Sequence, residues 1–307
     1  MTILALLSTL LVQVSKEVSL QGPVSAVAFA PSPPWMAAAS QRVVMINTKS
    51  WEQILLGSHG QRVGALLFSA NGKILVSGGW DRTIKFWDTE TNGEICCLEG
   101  HPDGLSALAF SPDGAQLASA DWSGTVKVWD VATRTERISV KGHSRGIGSL
   151  AWSKSGKLLF SAGWDGIVKT YKIGRTVEAM AETPLGIPGV HFIEFSHDGS
   201  RVLTGAGDRQ MVELKVFDAS SGRELKALRT HRAMLRRGIF TRDGTRIVSA
   251  ELQEPCLRIW NADSGGCVKE LHMASGPGGA HSLAASAAGD LGAVGTDAGK
   301  VIFFPLR

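Results

Sequence analysis

Two sets of residues in this 307-residue chain have the types and spacing that could do chemistry. The first set recurs: His59, His101 and His143 stand 42 residues apart, as do Trp80, Trp122 and Trp164 and the pairs Trp87-Asp88 and Trp129-Asp130. Residues copied at a fixed interval belong first to a repeating structural unit. Tryptophan can also anchor an interface, because it buries a large rigid surface and offers one N–H donor. The second set is a basic run from Arg223 to Arg246, eight lysines and arginines against Glu224 and Asp243, a net +6. Most of that run disperses over different faces as an ordinary solvated surface. Arg236 and Arg237 differ, because adjacent arginines in the apolar stretch LRRGIF cannot both enter a hydrophobic layer. At least one should face a central channel or an anionic partner, which an acidic peptide, a phosphorylated segment or a nucleic-acid backbone would each satisfy.

Signals for catalysis are weak. Gly156-Lys157 is followed by Leu158 and lacks the spaced upstream glycine of a phosphate loop, and neither HExxH nor paired CxxC motifs occur. Cys96, Cys97, Cys256 and Cys267 have no metal-ligand spacing and read as packing residues, with nothing that demands an oxidising compartment. No cofactor and no metal are therefore expected, and an enzyme would need a scattered constellation in a central channel. The formal charge of +4 does not by itself point to nucleic acid, while 44% hydrophobic residues suit a packed core.

The same interval defines the elements that must position these residues. Each unit opens with an apolar stretch (VSAVAF, VGALLF, LSALAF, IGSLAW, VHFIEF, LRRGIF, HSLAAS) and most then turn through SANG, SPDG, SKSG, SHDG or TRDG. A second short strand follows, then a third such as TIKFW, TVKVW, IVKTY or CLRIW. Asn-Gly and Asp-Gly between apolar runs read as tight hairpin turns, because glycine accepts positive φ without steric cost. No window keeps a helical period. Seven units fill the chain, so the expected fold is all-β: one seven-bladed β-propeller of four-stranded antiparallel blades, a single domain over residues 1–307. The last unit ends after its third strand, VIFF, and residues of about 12–19 (VQVSKEVS) are free to supply the fourth. Such closure removes an open strand edge.

These residues and turns resemble the WD-repeat β-propeller family over almost the whole chain. The resemblance implies that a His, a Ser or Thr, an Asp and a Trp form a hydrogen-bonded network pinning the turns of a blade, a structural rather than catalytic role. His59, Ser77, Asp81 and Trp87 match all four positions. The next unit offers His101, Ser119 and Trp129 with Ser123 where the Asp belongs, and the one after has His143, Ser161 and Asp165 with Tyr171 in place of Trp. Later the pattern thins, since Thr204, Asp208 and Phe217 lack the His, and His231, Ser249 and Trp260 lack the Asp.

By the same resemblance, binding is placed on the narrow top face, formed by loops entering the innermost strands and loops between second and third strands. Trp80, Trp122 and Trp164 would there form an aromatic arc on the rim, unless duplication of one blade merely copied a turn cover. At the entrance of the innermost strands the equivalent positions read Ser25, Gly64, Ser106, Gly148, His191, Arg236 and His281, small on one side and ionisable on the other. The implied function is a non-catalytic protein-interaction scaffold, a subunit of a larger assembly, holding one or more proteins through Trp80, Trp122, Trp164, His191, Arg236 and His281. The alternative is a binder of nucleic acid or another anionic ligand through the basic sector of blades five and six, recognisable by steep salt dependence. Met1 to about Leu11 is an apolar extension beyond what closure needs. Its uncharged run, Met1 to Ser15, falls short of the roughly 20 residues of a membrane span, and it lacks the basic start of a signal peptide. It is expected to lie against the ring, a partner or a membrane surface, in a cytoplasmic protein, with an exported form left open.

Overall fold

The computed structural model describes residues 16–186, 189–207, 212–228, 234–251, 256–272 and 279–306, whose 28 strands form seven four-stranded antiparallel sheets. Among the described residues there is no helix, and hence none long and apolar enough to cross a membrane. In six sheets the four strands follow one another in chain order, so neighbouring strands are joined as hairpins. The innermost strands are Ala26–Phe29, Val63–Phe68, Leu105–Phe110, Ile147–Trp152, Val190–Phe195, Leu235–Phe240 and Ala280–Ala285. Each packs against the next, and the last packs against the first. The result is a closed propeller of seven blades.

Local chemistry sets the hairpins. In blades two to seven the first turn closes with Gly72, Gly114, Gly156, Gly199, Gly244 or Gly289 at φ between 67° and 75°. Each of these N–H groups returns to the carbonyl three residues back, as from Gly72 to Ser69 at 2.8 Å. Any side chain would strain that conformation.

Hydrophobic burial lies between blades rather than within them. Seven clusters each join two neighbours; Val76, Ile84 and Phe86 of blade two, for example, meet Leu105, Leu117 and Trp129 of blade three. Second strands are covered on both faces, which is why ILVSGG carries no alternation and only its first residue is less than fully buried. Stability is thus shared around the ring, and closure completes the set.

Closure is made by Lys16–Ser19, which pairs antiparallel with Lys300–Pro305 in the register Val18 to Val301. Val18 is buried and enters the cluster of Met36 and Phe303 between blades one and seven. Lys300 Nζ sits 2.8 Å from Glu17 Oε2, and Trp51 of blade one stands edge-on to Phe303 at 5.0 Å. Residues 12–15 of the expected closing strand, and the apolar segment 1–11, lie outside the described residues. The cysteines correct an expectation: Cys256 is buried, but Cys97 and Cys267 are exposed and Cys96 is half-buried. Those three occupy outermost strands, where one side of the blade meets solvent.

Candidate functional site

The recurring histidines are spent inside the blades. His59 Nε2 lies 2.7 Å from Ser77 Oγ and its Nδ1 3.0 Å from Asp81 Oδ1, while the Trp87 indole N–H donates to Ser77 Oγ at 2.8 Å. Because the indole donates to the serine, the serine hydroxyl donates onward to Nε2, which leaves the imidazole proton on Nδ1 facing the carboxylate. Burial pushes His59 below its ordinary pKa, with Asp81 opposing, so the ring is neutral. Burial alone would raise Asp81, but hydrogen bonds from Thr83, His59 and the Gly60 N–H outweigh it and hold the carboxyl below its usual value.

Serine, imidazole and carboxylate in this order reproduce the connectivity of a hydrolytic triad. Here Ser77 is 0% exposed and its oxygen already accepts the indole N–H, so no substrate reaches it. The run GHSRG at residues 142–146 likewise spells the G-x-S-x-G of a nucleophile elbow. It joins the strands Thr135–Lys141 and Ile147–Trp152 instead of leading into a helix, and Ser144 Oγ donates to Asp165.

Blade three overturns one expectation. Ser123 does not leave the network without an acid, because Asp121 places Oδ2 2.8 Å from His101 Nδ1 and accepts the Ser123 hydroxyl on Oδ1 at 2.7 Å. The reason is an exchange of positions. In blades two and four the residues equivalent to Asp121 are Gly79 and Gly163, where a Cβ would fall 2.3 Å from His59 Nδ1 and 2.1 Å from His143 Nδ1. With serine at 123 that space is open, and a carboxylate rooted at 121 fills it. Blade four keeps His143 on Ser161 and Asp165 at 2.6 and 2.9 Å, and buries Tyr171 where blades two and three have tryptophan. In blade six the Trp260 indole N–H donates to Ser249, and the position of Asp121 is held by Glu251, ion-paired to Arg258 in the interior. Asp208 and His231 lie outside the described residues.

The channel gathers the remaining candidates. Strand register slips at Gly64, Ser106, Gly148, His191, Arg236 and His281, so each is a bulged residue without a cross-strand partner. Ser25 sits one residue ahead of its strand. A bulge turns a residue out of the ladder, and all seven positions line one cavity of about 140 Å³.

Trp80, Trp122 and Trp164 line the same cavity rather than standing apart on the rim. Ring centres of Trp80 and Trp122 are 6.3 Å apart, those of Trp122 and Trp164 5.7 Å, and the arc continues to His191 at 4.6 Å, each contact edge to face. Trp80, at the free end, is 37% exposed, and the other two are half-buried. Glycines make room for the arc: a Cβ at Gly104 would come 2.9 Å from Trp80 Cα, and one at Gly146 2.8 Å from Trp122 Cε3. In blade two that position is Arg62, and blade one has no tryptophan in the turn at residues 40–41 between its second and third strands. The long side chain is admitted, and its guanidinium lies 5.5 Å from the Trp80 ring centre. Sequence reasoning missed Arg62; its signal is an arginine in the column of Gly104 and Gly146.

Polar groups in the cavity are unevenly matched. Arg237 Nη2 approaches Glu194 Oε2 at 3.4 Å, whereas among the described residues Arg236 makes only a 3.4 Å contact from Nε to the His281 carbonyl. Burial, then the nearby Arg62 and Arg237, lower the Arg236 pKa. His191 Nε2 lies 2.7 Å from the Gly207 carbonyl and His281 Nε2 pairs with Asp297. Burial also lowers both imidazoles, with the Gly207 carbonyl and Asp297 opposing. Among the described residues Arg62 Nη2, Trp122 Nε1, Trp164 Nε1, His191 Nδ1, His281 Nδ1 and Ser282 Oγ are buried without a hydrogen-bond partner, and all six residues line this cavity. Their concentration at one place marks a surface with which a bound group could pair. Among the described residues no cluster of His, Cys, Asp or Glu could hold a metal ion.

Residues 51–88, 93–130 and 134–172 match the family described as WD domain, G-beta repeat. Each match runs from the outermost strand of one blade through the first three strands of the next, and together they span the arc of tryptophans. No curated protein matches the chain.

Proposed function

The chain is a WD-repeat β-propeller, and on that premise we propose that it is a non-catalytic protein-interaction scaffold, a subunit of a larger assembly, whose partner engages the channel mouth. Propellers of this family commonly hold other proteins. The observation that carries the reading is the arc itself: three indoles in edge contact around a cavity, with Trp80 exposed at its end. A structural role accounts for Trp87 and Trp260, whose N–H groups are paired with serines. It does not account for Trp122 and Trp164, whose buried N–H groups have no acceptor among the described residues. A partner that covers the arc would supply acceptors and gain a rigid aromatic anchor. At about 140 Å³ the cavity falls below the roughly 300–1,000 Å³ of ligand pockets, which favours an inserted side chain over a whole small molecule.

Capture by the tagged chain and by Trp80→Ala, each over a salt series, tests this. The expected result is one protein retained by the wild type up to about 0.3 M salt, where exposed charges are screened, and lost by the variant throughout. Nucleic acid in the eluate, released steeply by salt, would instead support an anionic polymer bound through Arg62, Arg236 and Arg237.

A further inference from the structure

We propose that the channel mouth receives the carboxylate of an acidic side chain on a peptide segment of the partner, held between Arg62 and Arg236 beside the Trp arc. This rests on the mouth being the partner surface and specifies what that surface recognises.

The charge balance decides the sign of the guest. Arg62, Arg236 and Arg237 line the cavity with His191 and His281. Among the described residues two carboxylates pair with this set: Glu194 is taken by Arg237, and Asp297 by His281. Arg236 is left beside Arg62, and burial lowers both guanidiniums. Arg62 Nη2 has no acceptor among the described residues. Both arginines are half-buried and keep only part of their hydration, and a carboxylate that enters between two guanidiniums forms charge-assisted hydrogen bonds with both.

The same balance favours a single negative charge. Asp297 already acts on Arg62 and on Arg236 as a partial countercharge. A phosphate dianion between the same two guanidiniums would also meet Asp297, with charge to spare. A nucleic-acid strand would have to pass its backbone down a mouth ringed by indoles into about 140 Å³. One carboxylate on a short side chain fits both limits.

Proton uptake should accompany binding. His191 and His281 direct Nε2 at the Gly207 carbonyl and at Asp297, so each neutral ring turns an unpartnered Nδ1 lone pair inward. His191 faces Arg236 and the Trp164 ring, while His281 faces Asp297, Arg62 and Arg236; the arginines oppose protonation and Asp297 favours it. An arriving carboxylate offsets the arginines, so affinity should rise as pH falls from about 8 to about 6, through the ordinary histidine range.

Selection from a bead-bound random octapeptide library on the full-length chain tests the proposal, using wild type, Arg236→Gln, Arg62→Gln and Trp80→Ala with their melting curves measured alongside. Wild type should enrich Asp or Glu at one position, and the best peptide remade with Gln there should bind about tenfold more weakly or worse. Each arginine variant should erase that difference; if Arg236→Gln does not fold, Arg62→Gln decides. Trp80→Ala should weaken the acidic and the Gln peptide alike and keep their ratio. The acidic peptide should also bind more tightly at pH 6 than at pH 8. A library without acidic enrichment, a Glu-to-Gln difference intact in the folded arginine variants, or tighter binding of the phosphoserine version or of a 20-nucleotide single strand overturns the proposal. Should Trp80→Ala bind both peptides as wild type does while the arginine variants lose the difference, the Trp-arc reading fails and the carboxylate site stands.

Discussion

His101 Nδ1 lies 2.8 Å from Asp121 Oδ2, so blade three completes its buried network with a carboxylate rooted two positions earlier than the one used by the blades on either side. Asp121→Ala should cost about 1–3 kcal/mol by leaving the His101 N–H unpaired in the interior. Ser123→Ala should cost less, because Thr125 N–H and His101 still hold the carboxylate. The double exchange Asp121→Gly with Ser123→Asp recreates the arrangement of blade two and should return stability to within about 0.5 kcal/mol of wild type. Urea melts of the three variants check this; equal losses for the two single changes would contradict it.

Acid should unfold the protein in two steps of the same sign. Burial holds His59, His143, His191 and His281 below their ordinary pKa, so the unfolded chain binds those protons first. The stability they contribute is present at neutral pH and declines as pH falls below about 6.5. Burial would raise Asp81, Asp121 and Asp165, but their hydrogen bonds bring all three below the usual carboxylate value. Their contribution persists above about pH 4 and is lost as pH drops through the folded values. Urea midpoints should therefore be flat from about pH 8 to 7 and fall on acidification; a midpoint that rises between pH 7 and 5 contradicts the assignment.

Closure gives a third expectation. Val18→Ala should cost about 1–3 kcal/mol for a buried side chain, although it sits on a four-residue strand. Removing residues 1–19 should also expose Lys300–Pro305 as an open edge and bring rapid proteolysis, whereas removing residues 2–9 should not. Identical melts for both truncations would place the closing contact elsewhere.

The 42-residue interval made the blades legible because each blade reuses one set of turns, and the closing strand followed from a last unit one strand short. The column from Ser25 to His281 was legible too, although the reason for its convergence, a bulge at six of the seven positions, depends on ladder register and leaves no mark in a single sequence. Asp121 and Arg62 were missed for one physical reason. Both are departures from the repeat that go with an exchange elsewhere, Ser123 beside Asp121 and a turn without tryptophan at residues 40–41 in the blade before Arg62. A search for matches passes over such exchanges. Trp80, Trp122 and Trp164 were found by spacing, but their mutual edge contacts depend on how neighbouring blades are inclined.

Whether the partner reads the channel mouth is tested most directly by titration calorimetry of the captured partner against wild type, Trp80→Ala and Met180→Ala. Met180 is 55% exposed on the outermost strand of blade four and serves as a surface control away from the mouth. Trp80→Ala should weaken binding by about 2 kcal/mol or more while its melting curve stays within about 0.5 kcal/mol of wild type, and Met180→Ala should bind unchanged. Normal binding by Trp80→Ala together with weakened binding by Met180→Ala would contradict the reading and move the partner to the blade edge.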